Sequence, residues 1–268
     1  MGKFFNVNLN PDVVASDISS HIATNKTNTD IAANDIIFDW HAIDVPSGSC
    51  MLRSISAIVN AEDGAYGAGS LTDYELIFAK SVDGSAPPSI GISGSTGQLC
   101  FALRSHYVGS IMLDSIITKA TLTNLGFHVA YVAGENPSQD FNVGLPLVMD
   151  LEPGSGTNVG YDKLYVCAFQ MAGRHYGTEC DVNQSAYDAS EADPAVNTIV
   201  CDGVDARKIF SIGDTVYIHD LDTPIPGTLT KVEALKLTFS ETNSTVDIAD
   251  GDELFNANPI RIKLGFEK

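Results

Sequence analysis

The sequence has few basic residues: 15 Lys and Arg stand against 34 Asp and Glu, which gives a formal net charge of −19. Nucleic-acid phosphates are bound by clustered Lys and Arg, so this balance argues against a nucleic-acid partner. The sequence also lacks any run of eighteen or more apolar residues. We therefore expect no membrane-spanning helix, and the first ten residues lack the hydrophobic stretch of an export signal.

Cysteine pairs of the kind that bind zinc or carry out redox chemistry are missing as well. The five cysteines form no CxxC pair, and their number is odd. This usage predicts free thiols in a chain made in a reducing cytoplasm, where a buried cysteine acts as a small apolar residue. A chain of 268 residues can bury a core without disulfides or a cofactor. The cysteines are Cys50, Cys100, Cys167, Cys180 and Cys201.

Motifs of catalysis are missing too. No GxSxG occurs, and Cys50 stands at a turn entering a strand, where a packed thiol is expected. The stretch GISGSTG lacks the Lys-Ser/Thr and the helix of a phosphate-binding loop, so it predicts a flexible loop around Gly91, Gly94 and Gly97. The histidines stand singly, without the HxxxH spacing of a zinc site, at His21, His41, His106, His128, His175 and His219. We therefore predict a protein that is not an enzyme, without catalytic, cofactor-binding or metal-binding residues.

Two acidic segments, HDLD and DIADGDE, leave one question open. Clustered carboxylates bind Ca²⁺, but Asp next to Gly also forms tight turns, and neither segment has the EF-hand pattern. The sequence does not decide between a calcium site and plain turns. The residues concerned are Asp220 and Asp222 in the first segment and Asp247, Asp250, Asp252 and Glu253 in the second.

Few aromatic residues are candidates for contacts with a partner. Trp40, the only tryptophan, is interpreted as a core anchor rather than a sugar-stacking platform. Tyr66 lies in the Gly-rich segment DGAYGAGS and is equally compatible with a contact residue and with a plain loop residue. The polar segment 174–198, with His175, Tyr176 and Tyr187, is predicted to be a long excursion with at most one helical turn. It is either an interface arm or a covering loop.

What the sequence does contain is a series of short apolar stretches from Ile36 onward, bounded by Gly, Pro and Asp turn signals. This spacing is typical of an all-β sandwich or barrel. The segment DKLYVCAFQMAG is apolar on both faces and predicts a central strand. The β-branched residues of segment 107–121 favour strands over a helix.

Three parts are predicted along the chain. Residues 1–35 are expected to form an extended N-terminal arm, and residues 36–201 with 259–268 a jelly-roll-like β-sandwich. Residues 202–258 are expected to form an inserted small SH3-like barrel, because strand, turn, strand and strand follow one another within about sixty residues. In the last segment, PIRIKLGFEK, apolar and polar residues alternate, which predicts a half-buried strand that pairs back into the sandwich.

Several of these segments resemble structural proteins of marine tailed bacteriophages, including phages of cyanobacteria. They are FDWHAIDVPSGSCMLRSISAIV, TDYELIFAKSVDGSAPPSIG, and GDTVYIHDLDTPIPGTL with DGDELFNANPIRIKLGFEK, and together they cover roughly residues 36–95 and 210–268. The resemblance brings no catalytic motif.

The resemblance implies a virion component made in the host cytoplasm. We expect a non-enzymatic capsid decoration protein that binds capsid subunits and forms a homo-oligomer, without a nucleic-acid or membrane partner. A neck or tail component and a carbohydrate-binding module for host attachment are the alternatives.

Overall fold

The computed structural model describes residues 4–13, 31–45, 50–60, 73–82, 85–97, 100–113, 120–122, 125–131, 148–149, 163–171, 179–183, 187, 195–218 and 224–267. In these ranges the chain forms sixteen β-strands, two short 3₁₀ turns and no α-helix. The predicted all-β fold class is therefore confirmed. No helix in these ranges has the length and apolar character needed to cross a membrane.

The strands are numbered in chain order. They are β1 (Phe4–Leu9), β2 (Ile36–Asp44), β3 (Cys50–Asn60), β4 (Tyr74–Lys80), β5 (Tyr107–Leu113), β6 (Ala120–Leu122), β7 (Leu125–Tyr131), β8 (Val148–Met149), β9 (Lys163–Gln170), β10 (Glu179–Val182), β11 (Val196–Asp202), β12 (Val216–Ile218), β13 (Leu229–Glu233), β14 (Lys236–Asn243), β15 (Glu253–Asn256) and β16 (Ile260–Glu267).

The first sheet has the strand order β1-β16-β3-β7-β6, and β8 pairs with one end of β3. All of its pairings are antiparallel. Strand β16 lies between β1 and β3, so the last described strand of the chain is a central strand of this sheet. Its alternate residues Ile262 and Leu264 are buried while Lys263 is exposed. This is the pairing that the alternation in the sequence predicts for this strand.

The second sheet has the order β2-β9-β4-β5. Strand β9 lies between β2 and β4 and is antiparallel to both. Both of its faces are buried, because Leu164 and Val166 belong to one hydrophobic cluster and Cys167 and Phe169 to another. The prediction of a central strand in this segment is confirmed.

The inward faces of the first two sheets share one hydrophobic core. Leu52 and Ile55 from β3 and Leu264 from β16 lie in the same cluster as Phe78 from β4 and Val166 from β9, and all five are almost completely buried. Full burial of such a side chain stabilises the fold by about 1.5–3 kcal/mol. We call the two sheets and this core, formed by β1 to β9 and β16, the layered body.

The outer face of the second sheet is covered by segment 85–97, whose second half, from Gly91 onward, the sequence predicts to be a flexible loop. The segment is held in place by backbone hydrogen bonds from the Ile36 amide to Ser95 (2.9 Å) and from the Gly94 amide to Ile36 (2.8 Å). Trp40 Nε1 also donates to the Pro88 carbonyl at 2.9 Å. The segment fits closely because a Cβ at Gly97 would lie 2.0 Å from Phe169 Cε1. It is thus a packed cover of the sheet.

Replacing Gly97 by Ala is therefore expected to lower the free energy of unfolding by about 2 kcal/mol, because the new methyl group forces Phe169 or the covering segment to move. Urea unfolding curves of the wild type and the variant measure this loss. Adding Phe169→Leu removes the ring atoms in question, so the double variant should lose less stability than the sum of the two single changes. Strictly additive losses would contradict the close contact.

The third sheet is built by the later strands in the order β12-β15-β10-β11-β14-β13. It curls, because its two ends are joined by backbone hydrogen bonds from Gly213 to Leu229 (2.7 Å) and from Leu229 to Asp214 (2.9 Å). Its interior is a second large hydrophobic cluster, which includes Ile199 and Leu237. We call strands β10 to β15 and this cluster the curled body.

Two predictions about strands need correction. Segment 174–198 was expected to contain at most a helical turn, but β10 and the start of β11 lie in it, and β10 pairs with β11 and β15. Both strands thus belong to the curled sheet, although they precede residue 202, where the inserted barrel was predicted to begin. The predicted N-terminal arm of residues 1–35 is not confirmed, because residues 4–9 form β1 and pair with β16. The division into domains stays a prediction.

Candidate functional site: the junction between the two bodies

The layered and curled bodies meet where β15 leads into β16. Residues Ala257 to Pro259 connect these strands, and the backbone of Ala257 bonds in two directions. Its amide donates to the Thr215 carbonyl at 3.0 Å, and its carbonyl accepts from the Val13 amide at 2.9 Å. Both bodies are thus tied to the same short connection.

A buried carboxylate lies at the centre of this junction. The side chain of Asp214 is 1% exposed and forms an ion pair with Arg261 of β16, whose side chain is 39% exposed. One oxygen of Asp214 accepts hydrogen bonds from the Ser211 amide at 2.8 Å and from Asn256 Nδ2 at 2.8 Å. A buried carboxylate is tolerated only when it is paired and hydrogen-bonded in this way.

Two asparagines extend the network between the bodies. Asn256 Nδ2 also donates to the Ile209 carbonyl at 2.8 Å, and Asn256 Oδ1 accepts from the Asn258 amide at 2.7 Å. The side chain of Asn258 accepts from the Thr215 amide at 2.9 Å and donates to the Pro11 carbonyl at 3.1 Å. Directional bonds of this kind fix the orientation of one body against the other more narrowly than apolar contact alone.

An apolar cluster of Tyr217, Phe255 and Ala257 accompanies these polar groups. Burial raises the pKa of the Tyr217 hydroxyl, and the negative charge of Asp12 raises it further. The phenol therefore stays neutral. Together with the hydrogen bonds and the ion pair, this cluster connects the two bodies, and we call the whole arrangement the joint.

The sequence analysis did not identify the residues of this joint. Asp214 follows a glycine, and Asn256 and Asn258 stand in the stretch NAN, so each has the appearance of an ordinary turn residue. The only available signal was the position of Asn258 and Arg261 at the start of a strongly alternating strand. Partners as distant as Pro11 and Asn258, 247 positions apart, cannot be matched from one sequence.

The predicted candidates are largely structural where the structure describes them. Cys50 is buried in the core of the layered body, which confirms a packed thiol. Trp40 packs against the cluster on the outer face of the second sheet, and its indole donates to Pro88. Gly91 lies close to the Ile36 side chain, and Gly97 lies close to the Phe169 side chain. A larger residue at either position would not fit, so these glycines allow the covering segment to pack on the sheet.

Three of the predicted histidines lie among the described residues, each in a different part of the fold. His106 is buried and its Nδ1 lies 2.9 Å from the Lys80 carbonyl. Burial lowers the pKa of His41 in β2. His128 lies in β7 of the first sheet. The remaining predicted histidines, His21, His175 and His219, lie outside the described residues.

The second acidic segment forms a turn before β15. Gly251 has a φ of +82°, and Asp252 Oδ2 accepts a hydrogen bond from the Ala249 amide at 2.6 Å. Across the described part of the chain no three His, Cys, Asp or Glu side chains come together as metal ligands. Asp220 and Asp222 lie outside that part, so the calcium question stays open for the first segment.

Tyr187 is the described aromatic residue of the polar segment 174–198, and it packs on the curled body. Its side chain is buried, its hydroxyl donates to the Ser244 carbonyl at 2.7 Å, and its backbone forms a bridge with Ile248. This favours the interpretation of a covering loop at this position. Tyr66, His175 and Tyr176 lie outside the described residues.

Three exposed apolar side chains lie on β5, the edge strand of the second sheet, or in the turn before it. Phe101 is 78% exposed in the 3₁₀ turn Phe101–Ser105, with the Arg104 guanidinium 4.3 Å from its ring centroid. Tyr107 and Met112 are exposed on β5, the last strand of that sheet. Exposed aromatic and Met side chains are typical of contact surfaces.

Comparison with protein-family models, with curated proteins and with solved structures gives no match in any of the three.

Proposed function

We propose that the protein is a non-enzymatic structural component of a tailed-phage virion that decorates the capsid surface by binding capsid subunits. The observation that carries this proposal is the buried joint of Asp214, Asn256, Asn258 and Arg261, which couples two β-bodies into one unit. In this proposal the buried polar groups of the joint hold the two bodies in a fixed arrangement. The resemblance of the flanking segments to phage structural proteins supports the same conclusion.

Three physical arguments support a protein that binds many identical sites on a particle surface. A pre-organised unit loses little conformational entropy when it binds, so modest contacts suffice. A particle surface repeats the same epitope many times, which adds avidity. A net charge of −19 keeps free copies apart and discourages non-specific adhesion. In this proposal the layered body is a jelly-roll-like sandwich, the curled body an SH3-like barrel, and the copies form a homo-oligomer on the capsid.

Electron microscopy of virions tests the assignment. Heads assembled without the protein should lose a layer of density that purified protein restores. Heads that look the same in both preparations would refute the capsid role. Quantitative mass spectrometry of whole virions separates the alternatives, because a capsid protein is present in hundreds of copies, whereas a neck or tail component is limited to a small multiple set by ring symmetry.

A carbohydrate-binding module is the other alternative, and the exposed Phe101 ring is the feature that favours it. Sugar-binding platforms usually need a free aromatic face, whereas Trp40 is engaged with Pro88 and the covering segment. We therefore expect no binding on an array of host polysaccharides. Specific binding that disappears in a Phe101→Ala variant would replace the capsid assignment with host attachment.

A further inference from the structure

Two cysteines meet inside the curled body. Strands β10 and β11 are antiparallel, with Val182 opposite Cys201 and Asp181 opposite Asp202. Cys180 is therefore diagonal to Cys201, and side chains two residues apart on a strand point to the same face. Both belong to the hydrophobic core of the curled body, with exposed fractions of 1% for Cys180 and 0% for Cys201.

The two thiols are in direct contact. They form a hydrogen bond that raises the pKa of Cys180 and lowers the pKa of Cys201, while burial raises the pKa of Cys180 further. The register of the two strands and the shared core place the two sulfurs side by side. The arrangement supplies a nucleophilic sulfur with a second sulfur beside it.

The other described cysteines have different surroundings. Cys50 lies in the core of the layered body, and Cys167 lies in the cluster under the covering segment, where burial raises its pKa. Cys100 is exposed. These three positions provide matched controls for the pair in the curled body.

We propose that Cys180 and Cys201 form a redox-modification site, in which a disulfide bond between them cross-links β10 to β11 when the protein meets a small-molecule disulfide such as oxidised glutathione. The thiolate of one of the two cysteines attacks one sulfur of the reagent and releases the first glutathione thiolate. The sulfur of the other cysteine, after losing its proton, attacks the protein sulfur of this mixed disulfide and releases the second. Two protein thiols lose two electrons and two protons, and the reagent disulfide is reduced to two thiols.

The diagonal position of the two cysteines determines how strained the disulfide is and how easily it is reduced. Diagonal neighbours on antiparallel strands have Cα atoms about 7–8 Å apart, and beyond about 7 Å a disulfide forms only if the backbone moves. The bond therefore draws the two strands together and stores strain. A strained disulfide is easily reduced, so we expect the modification to be reversible by thiols rather than permanent.

The test uses the full chain, refolded from urea in glutathione buffers of graded ratio, so that burial of the thiols does not limit access. Thiols are counted in denaturant after an acid quench, and cross-linked peptides are identified by mass spectrometry. We expect the count to fall from the five cysteines of the sequence by two, with a mass loss of about 2 Da and a cross-link between positions 180 and 201. Dithiothreitol should restore all five.

Matched variants decide the outcome. Cys50→Ser and Cys167→Ser should still lose two thiols, whereas Cys180→Ser and Cys201→Ser should form no internal cross-link. The melting temperature should shift on oxidation in the wild type, because the bond both constrains the unfolded chain and strains the folded one, and it should stay unchanged in Cys180→Ser. Five free thiols at the most oxidising ratio, or a cross-link through Cys100, would overturn the proposal. The result is independent of the capsid assignment, since it is measured on the isolated protein.

Discussion

Replacement of Arg261 by Met is expected to lower the free energy of unfolding by about 3 kcal/mol. The change leaves the almost fully buried carboxylate of Asp214 without its cationic partner, while the Ser211 amide and Asn256 Nδ2 continue to donate to it. The value is placed at the lower end of the range for broken buried ion pairs because the Arg261 side chain keeps partial contact with water. Urea unfolding followed by circular dichroism measures the loss.

Two further variants make this test specific. The double variant Asp214→Asn, Arg261→Met removes both charges and should recover more than half of the lost stability. Arg207→Met removes an arginine whose ion pair with Asp205 is exposed, so its unfolding midpoint should match the wild type. Equal losses in the Arg261 and Arg207 variants would mean that the junction is no more important than a surface pair.

Replacement of Leu264 by Ala is expected to cost about 3 kcal/mol of stability, because it leaves a cavity in the core of the layered body. Leu264 is 0% exposed and lies at the middle of β16, opposite Ile55 of β3. Fluorescence of Trp40, the only tryptophan, reports on the layered body and should show unfolding at a lower urea concentration. Far-UV circular dichroism reports on both bodies together.

Lys263 provides the matched control for this change. It is the neighbour of Leu264 on the same strand, but its side chain is exposed. Lys263→Ala should change stability by less than about 1 kcal/mol, the range of strand propensity. Because a shift of register by one residue exchanges the faces of a strand, a larger loss for Lys263→Ala than for Leu264→Ala would show that β16 pairs in another register.

The strands that the sequence predicted well are those with complete local patterns. Strand β9 is apolar on both faces and lies at the centre of its sheet, and β16 alternates strictly and has one face buried. In each strand the order of apolar and polar residues follows directly from whether one face or both faces of the strand are buried. Such a pattern can be recognised within one segment of eight residues.

The strands that the sequence missed have weak patterns. Strand β1 has Phe4 on the same exposed face as Asn6 and Asn8, so its polar face is interrupted by an aromatic residue, and it pairs with β16, which lies near the other end of the chain. Strand β11 has two buried positions, Ile199 and Cys201, separated by an exposed valine. Edge and short strands gain their order from neighbours, and a single sequence does not show which neighbours these are.

The joint and the cysteine pair escaped prediction for the same reason. Asp214 and Arg261 are 47 positions apart, and Cys180 and Cys201 are joined through the register of two strands. Asp and Asn are common in turns, and Cys is common in apolar cores. A single sequence therefore gives no reason to assign these residues a distant partner. Only the packing of the bodies gives them their actual contacts.

The position of β16 has a consequence for how the protein is made. The ion pair between Arg53 and Glu267 joins residues 214 positions apart, and β16 pairs with β3 from Met51 to Val59. During synthesis on the ribosome, strand β16 emerges after all strands of the curled body. Strands β1 and β3 therefore lack the strand that lies between them until that point. The curled body, built from consecutive strands, is ready to fold earlier, and completion of the layered body should be the slow step of maturation because its contacts close the longest loops.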